Sequence, residues 1–275
     1  METLSDTILS QVIRRRPENS HKGTFGRAVL IGGNAQYGGA IIMSAQAAAS
    51  AGIGLLTVIT DPRNHSALHA RLPEAMVVDW QDFQLIDEIQ KSADVVLIGP
   101  GMGLELDSKL LLQSILNKQT ASQWLVIDGS AITLFSRQNK PLKYPERTIF
   151  TPHQKEWERL SRLSIENQTL ERNHLRQQEL QASVVVKSHR TEIYTEKNIY
   201  KNPLGTAAMA TGGMGDTLAG IITAFIAQFP DKEQALCAAV YLHSLIGEDL
   251  SKNRYVVLPT ELANQLPYYM KHFEQ

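Results

Sequence analysis

The sequence predicts an α/β fold in which a largely parallel sheet carries helices on both faces. Two features support this. Seven short β-branched runs recur along the chain, most of them apolar throughout and not alternating, as strands covered on both faces are. Segments with helical periodicity lie between most of these runs.

The strand candidates, in order, are residues 27–33 (RAVLIGG), 54–60 (GLLTVIT), 75–80 (AMVVDW), 94–101 (DVVLIGPG), 124–130 (WLVIDGS), 148–153 (TIFTPH) and 183–188 (SVVVKS). A first helix is expected within residues 1–20, where METLSDTILSQVIRRR has an amphipathic pattern with acids in it. A second spans 40–51 and is stopped by Gly52. A third spans 107–118, with Leu110, Leu111, Ser114 and Ile115 on one face, and a fourth spans 168–181. After Lys187 the pattern changes: 191–202 (TEIYTEKNIYKN) reads as a hairpin turning at Lys197-Asn198, followed by a glycine run and two apolar helices. With no Pro/Gly/Ser-rich linker, low-complexity tract or internal repeat, residues 1–275 are expected to form a single domain, with the 1–20 helix packed on it.

Composition narrows the function classes. A net charge of -1 and a pI of about 6.7 offer no electrostatic case for nucleic acid or an anionic membrane as the partner. The N-terminus does not read as a signal peptide, and no apolar run is long enough to span a bilayer, so a soluble, cytoplasmic protein is expected. The lone cysteine, Cys237, lies in a helical stretch and reads as a small buried hydrophobe.

In open parallel sheets, ligands bind beyond the carboxyl ends of the strands. Here those ends carry Gly32-Gly33-Asn34, Gly99-Pro100-Gly101, Asp128-Gly129, Thr151-Pro152-His153 and Lys187-Ser188. A crevice at that edge would offer bare backbone, an acid, an imidazole and an amine. The sharpest signal is Gly212-Gly213-Met214-Gly215-Asp216, which opens an apolar helix pattern through Leu218, Ile221, Ile222 and Phe225. Glycines at a helix start let backbone N–H groups converge on an anion, and the helix dipole adds to the attraction. A capping aspartate needs no such glycines, and a carboxylate beside a phosphate is repelled unless it has work to do. Asp216 suits the removal of a proton from a hydroxyl that attacks a phosphoryl group.

Other segments are open to two interpretations. Gly38-Gly39 begins a helix of small residues suited to close packing or to ligand contact. The run from Gly99 to Gly103 is a turn at the ligand edge. If a helix begins at Pro152, His153 and Glu156 share a face, which suits a metal contact or ordinary helix capping. Lys187 sits at a strand's mouth, and Lys187 and Arg190 suit a nucleotide. A zinc site and a serine hydrolase are disfavoured, because the eight histidines form no dense ligand pattern and no G-x-S-x-G occurs.

Taken in order, KGTFGRAVLIGGNAQYGGA, IGPGMG, VIDGSAI, TPHQKEWERL, VVVKSHRTEIY and NPLGTAAMATGGMGDTLAGII resemble the ADP-dependent NAD(P)H-hydrate dehydratases, the carboxy-terminal half of YjeF-type proteins within the ribokinase-like superfamily. The resemblance covers nearly the whole chain from Lys22. It implies a three-layer α/β/α fold with a central, mainly parallel sheet. It implies repair of the S form of hydrated NADH or NADPH, with ADP converted to AMP and phosphate, a Mg2+ requirement, a homotetramer and a separate epimerase as metabolic companion. By motif, Ala40, Gly103, His153 and Asp216 would contact the hydrate. Lys187, Ser188, His189, Arg190 and Thr191, with Gly213 and Gly215, would bind the nucleotide, and Glu156 would hold Mg2+ through water. Asp216 would be the catalytic base. Met214, Thr151 and Ser188 depart from the residues usual in these motifs. A small-molecule kinase of the same superfamily, acting on a hydroxyethylthiazole or hydroxymethylpyrimidine, is the alternative.

Overall fold

The computed structural model describes residues 1–138 and 140–275. The strands are β1 (Glu2–Thr3), β2 (Arg27–Ile31), β3 (Leu55–Thr60), β4 (Met76–Asp79), β5 (Val95–Ile98), β6 (Trp124–Ile127), β7 (Thr148–Phe150), β8 (Ser183–Val186), β9 (Glu192–Tyr194) and β10 (Ile199–Lys201). The helices are α1 (Thr7–Val12), α2 (Gly38–Ser50), α3 (His65–Arg71), α4 (Phe83–Lys91), α5 (Leu106–Lys118), α6 (Gly129–Ser136), α7 (Gln154–Ser161), α8 (Leu170–Leu180), α9 (Met214–Gln228), α10 (Lys232–Ser251) and α11 (Pro259–Phe273).

All strands join one sheet in the order β1-β10-β9-β8-β7-β6-β5-β2-β3-β4. The stretch from β8 to β4 is parallel throughout, and β9 alone runs against its neighbours. The seven apolar runs of the sequence are seven of these strands. Their side chains alternate between two cores: Ala28 and Leu30 of β2 face one, Val29 and Ile31 the other. The first core is closed by α1, α2, α3, α9, α10 and α11, and the second by α4, α5, α6, α7 and α8. This is a three-layer α/β/α arrangement. Both faces of each central strand are dry, so apolar runs with no alternation are required there.

Small residues set how closely α2 and α9 approach. A Cβ on Gly220 would collide with the Ser44 carbonyl, and the Ser44 hydroxyl donates to the Asp216 carbonyl at 2.9 Å. The run of alanines in α2 therefore has a packing role, and α9 is buried along nearly its whole length.

Several expectations are corrected. The helix expected within 1–20 is only the six residues of α1. It ends because the chain turns to pair with the C-terminus: Arg15 donates to the Gln275 carbonyl at 2.9 Å, and Gln275 donates to Ile13 at 3.1 Å. The two residues of β1, too short for any pattern to show, add a strand beside β10. In α5 the buried face runs through Ser108, Leu111, Leu112 and Ile115, and Leu110 points outward. The hairpin turns at Glu196-Lys197, between Thr195 and Asn198, because the Thr195 N–H closes on the Asn198 carbonyl at 2.9 Å. α7 starts at Gln154 with His153 as its N-cap, so Pro152 lies before the helix. A third C-terminal helix, α11, follows the two expected. Cys237 is a free, buried thiol, as expected.

Candidate active site

The parallel register brings the strand ends to one edge, ordered Gly32, Gly99, Asp128, Thr151 and Lys187 across β2, β5, β6, β7 and β8. His153 and Lys187 are themselves bridged in parallel. α9 points its N-terminus at this edge. Gly213 is its N-cap in the left-handed region (φ 94°), where a side chain would be strained and would also strike Met43 of α2. Asp216 follows in the first turn.

Four ionisable groups meet there. Lys187 Nζ donates to Asp128 Oδ1 at 2.7 Å, and the Thr151 hydroxyl donates to the same oxygen at 2.6 Å. Asp128 stands at the N-cap of α6 but makes no capping bond with its side chain. Burial raises the Asp216 carboxyl to about 6; the Asp128 and Glu156 charges push it up as well, against the pull of Lys187. Burial likewise raises Glu156, opposed chiefly by Lys187. Burial alone would lower the Lys187 ammonium, but Asp128, Glu156 and Asp216 together raise it, so this lysine is charged. Its Nζ lies 3.2 Å from where a Cβ of Gly215 would stand, against the first turn of α9.

His153 and Glu156 form a reciprocal cap. The Glu156 carboxylate accepts from His153 N–H at 2.9 Å, and His153 Nδ1 accepts from Lys155 N–H at 3.1 Å and Glu156 N–H at 3.3 Å. Its Nε2 lies 3.5 Å from Glu156 Oε1. Glu156 is buried and His153 half exposed. Capping thus accounts for the local pattern and leaves one face of the imidazole open. Ala40 faces Gly101 across a gap too tight for a further carbon. Gly103 (φ 83°) donates to the Ser130 hydroxyl at 3.2 Å and lies against Asn34. Asn64 braces this side by donating to the carbonyls of Gly33 and Asn34.

A cavity of about 470 Å³ opens beside Lys187, Ser188, His189, Thr191 and Gly215 and runs under the strap between β10 and α9 to reach α10. Arg190 and Gly213 do not line it. Arg190 instead donates to the Gly205 carbonyl at 3.0 Å, while Gly205 N–H donates to Glu248 at 2.7 Å. Arg190 therefore anchors the strap. Sequence reasoning assigned no role to Asp128, Ser130, Asn64 or His243. Asp128 alone gave a signal, as the acid at a strand's end. Among the described residues, no three acids, histidines or cysteines form a metal cage, and no helix is long and apolar enough to cross a membrane.

The family model for NAD(P)H-hydrate dehydratase matches residues 28–268. A relative from Enterococcus faecalis, named ADP-dependent (S)-NAD(P)H-hydrate dehydratase, is 54% identical over 275 residues, covering 100% of this chain and 94% of its own. A crystal structure of a ribokinase-like superfamily protein from the same organism superposes with a TM-score of 0.99 at 54% identity, covering 100% of this chain and 96% of the other. The ADP/ATP-dependent NAD(P)H-hydrate dehydratase of Bacillus subtilis, co-crystallized with ATP/Mg2+, gives 0.88 at 26% identity with 99% of each chain covered. The chain belongs to the NAD(P)H-hydrate dehydratase family.

Proposed function

We infer that this chain is an ADP-dependent (S)-NAD(P)H-hydrate dehydratase, a hydro-lyase that returns hydrated NADH or NADPH to the dihydronicotinamide while ADP becomes AMP and phosphate. The observation that carries the mechanism is a carboxylate, Asp216, pushed up to about 6 at a glycine-bounded helix N-terminus beside a charged lysine.

Hydroxide leaves a carbon centre poorly. Transfer of the terminal phosphoryl group of ADP to the hydrate hydroxyl releases AMP and makes phosphate the leaving group; the ring nitrogen's electron pair then expels phosphate, and the iminium so formed loses the proton on the neighbouring ring carbon to restore the double bond. Asp216 takes the hydroxyl proton; a carboxylate with a pKa near 6 is a stronger base than an exposed one and still ionised at neutral pH. The backbone N–H groups from Gly213 to Asp216 and the Lys187 ammonium face the charge that builds on the transferred group. Ala40, Gly103 and His153 hold the hydrate on the other side of Asp216. Residues 187–191 with Gly215 hold the nucleotide, whose base enters the cavity. Gly213 supplies the turn and Arg190 fixes the strap.

The donor set suits Mg2+. A Mg2+ ion keeps most of its waters and needs one or two carboxylates beside phosphate oxygens, and Glu156 is a buried carboxylate at this edge. Glu156 would hold one of the ion's waters, and the bound ion would offset phosphate charge. The whole chain acts as one domain in a homotetramer in the cytoplasm, with a separate epimerase that supplies the S hydrate. The family resemblance supports these last assignments.

The test is direct. Protein, NADH hydrate and Mg2+ are mixed with ADP or ATP, and dihydronicotinamide absorbance is followed while AMP is quantified. ADP-dependent recovery with matching AMP is expected. No recovery from a sample that binds ADP would overturn the assignment in favour of a kinase.

A further inference from the structure

His153 stands where β7 ends, bridged in parallel to Lys187 at the end of β8. Its side chain is 54% exposed, so the ring is open to a ligand at this edge. The cap of α7 fixes which ring nitrogen carries the proton. Lys155 N–H and Glu156 N–H both donate to Nδ1, at 3.1 and 3.3 Å. A backbone N–H only donates, so Nδ1 presents its lone pair and the ring's proton is on Nε2. Among the described residues nothing accepts that proton in a good hydrogen bond. Glu156 Oε1 is 3.5 Å away, and the other oxygen of Glu156 is taken by His153 N–H at 2.9 Å.

His153 thus offers a ligand a fixed N–H donor and no base. The reaction inferred above removes two protons from the substrate, and this ring takes neither. What it supplies is stabilisation of negative charge on an oxygen. The hydrate has two oxygens of interest, the carboxamide carbonyl and the one that leaves. The ring nitrogen shares its electron pair with the carboxamide across the remaining ring double bond. A donor on that carbonyl would strengthen the sharing and hold the pair back from expelling phosphate. A donor on the departing phosphate draws electrons in the productive direction, and its bond strengthens as charge builds in the transition state. The two neighbours on the sheet edge then divide the work: Lys187 faces the phosphoryl group as it arrives, and His153 faces it as it departs.

We propose that His153 is a catalytic residue of the elimination step, its Nε2–H donating to the phosphate that leaves the hydrate. The inference rests on the dehydratase reading of this site. The ring carbon–oxygen bond breaks and its electron pair passes to the phosphate. Asp216 returns to that oxygen the proton it took from the hydroxyl. The imidazole keeps its own proton throughout, and the neighbouring ring carbon loses its proton to water.

The test follows AMP and NADH together by rapid quench in single turnovers with NADH hydrate, ADP and Mg2+. It compares wild type, His153→Asn and His153→Gln, with thermal melts to confirm folding. Asparagine still caps α7, but its short amide presents no N–H at the Nε2 position. In His153→Asn, AMP should form at close to the wild-type rate while NADH recovery slows by roughly 10²–10³-fold. One equivalent of AMP should therefore run ahead of NADH, with phosphorylated hydrate accumulating. His153→Gln carries an amide N–H further out and should shorten the delay; should the Asn variant not fold, the Gln variant decides, because a displaced donor still leaves NADH behind AMP. AMP and NADH slowed together, with no phosphorylated hydrate, would overturn this assignment alone. So would a variant whose only defect is a raised KM for the hydrate, or one that matches wild type. Wild type that forms neither AMP nor NADH would overturn the dehydratase reading itself, and this assignment with it.

Discussion

Asp216 is stabilised as an acid by its surroundings, and the proposed mechanism uses it as a base. Its carboxyl is raised from 3.8 to about 6, first by burial and then by the Asp128 charge. Activity should therefore need it ionised, with the rate falling tenfold per pH unit below about pH 6 and level above, as kcat measured from pH 4.5 to 8.5 would show. Asp216→Asn should cut turnover by roughly 10²–10⁴ while ADP still binds; near-normal turnover would remove Asp216 from the mechanism. The same shift has a cost in stability. The unfolded chain releases this proton more readily than the folded one, so ionisation penalises folding. The penalty is absent below pH 3.8, grows between 3.8 and about 6, and is complete above, at roughly 3 kcal/mol at most. Asp216→Asn should thus melt higher than wild type at pH 8, and the gain should fade towards pH 4. The acid was legible in the sequence because glycines marked its setting. Asp128 showed as an acid at a strand's end, but its pairing did not: it lies 59 residues from Lys187, and only strand order puts the two together. A lone histidine in an apolar helix, His243, likewise gave no local sign of a cavity at its side.

At the scale of elements, the strands were legible because burial on both faces leaves each of them a purely apolar run. The ends of elements were not, since they are decided by contacts across the fold. The chain beyond α1 pairs with Gln275, and α5 turns Leu110 outward because Leu111 and Leu112 reach the core first. The small residues of α2 were open to two readings, and the packing of α2 on α9 explains the one at Ser44. Gly220 meets the Ser44 backbone, which cannot yield as a side chain could. Gly220→Ala should therefore destabilise in spite of alanine's better helix propensity, by about 1–3 kcal/mol. The Tm should drop by several degrees. Because Ser44 also holds the Asp216 carbonyl, kcat should fall more than ADP affinity does. A variant as stable and active as wild type would show that this contact is loose.

At the scale of the whole molecule, the sheet edge is held by an ion pair that the proposed nucleotide site includes. Lys187 of the β8 end and Asp128 of the β6 end meet across β7, with side chains 18% and 4% exposed. Removing one partner of a buried pair leaves an uncompensated charge and costs about 3–5 kcal/mol, whereas removing both can be nearly neutral. Lys187→Met should lower the Tm of the free protein, and adding Asp128→Asn should restore much of it. Ligand linkage tests the other half of the role. ADP at 100 times its Kd stabilises the native state by about 2.7 kcal/mol, a rise in Tm of roughly 5 °C or more in wild type. Lys187→Met/Asp128→Asn should keep the fold and lose most of the extra shift that ADP gives over AMP, because the second phosphate no longer meets a cation at the α9 turn. If the double variant responds to ADP as wild type does, Lys187 serves the sheet edge alone, and the backbone of the α9 turn must carry the phosphates unaided.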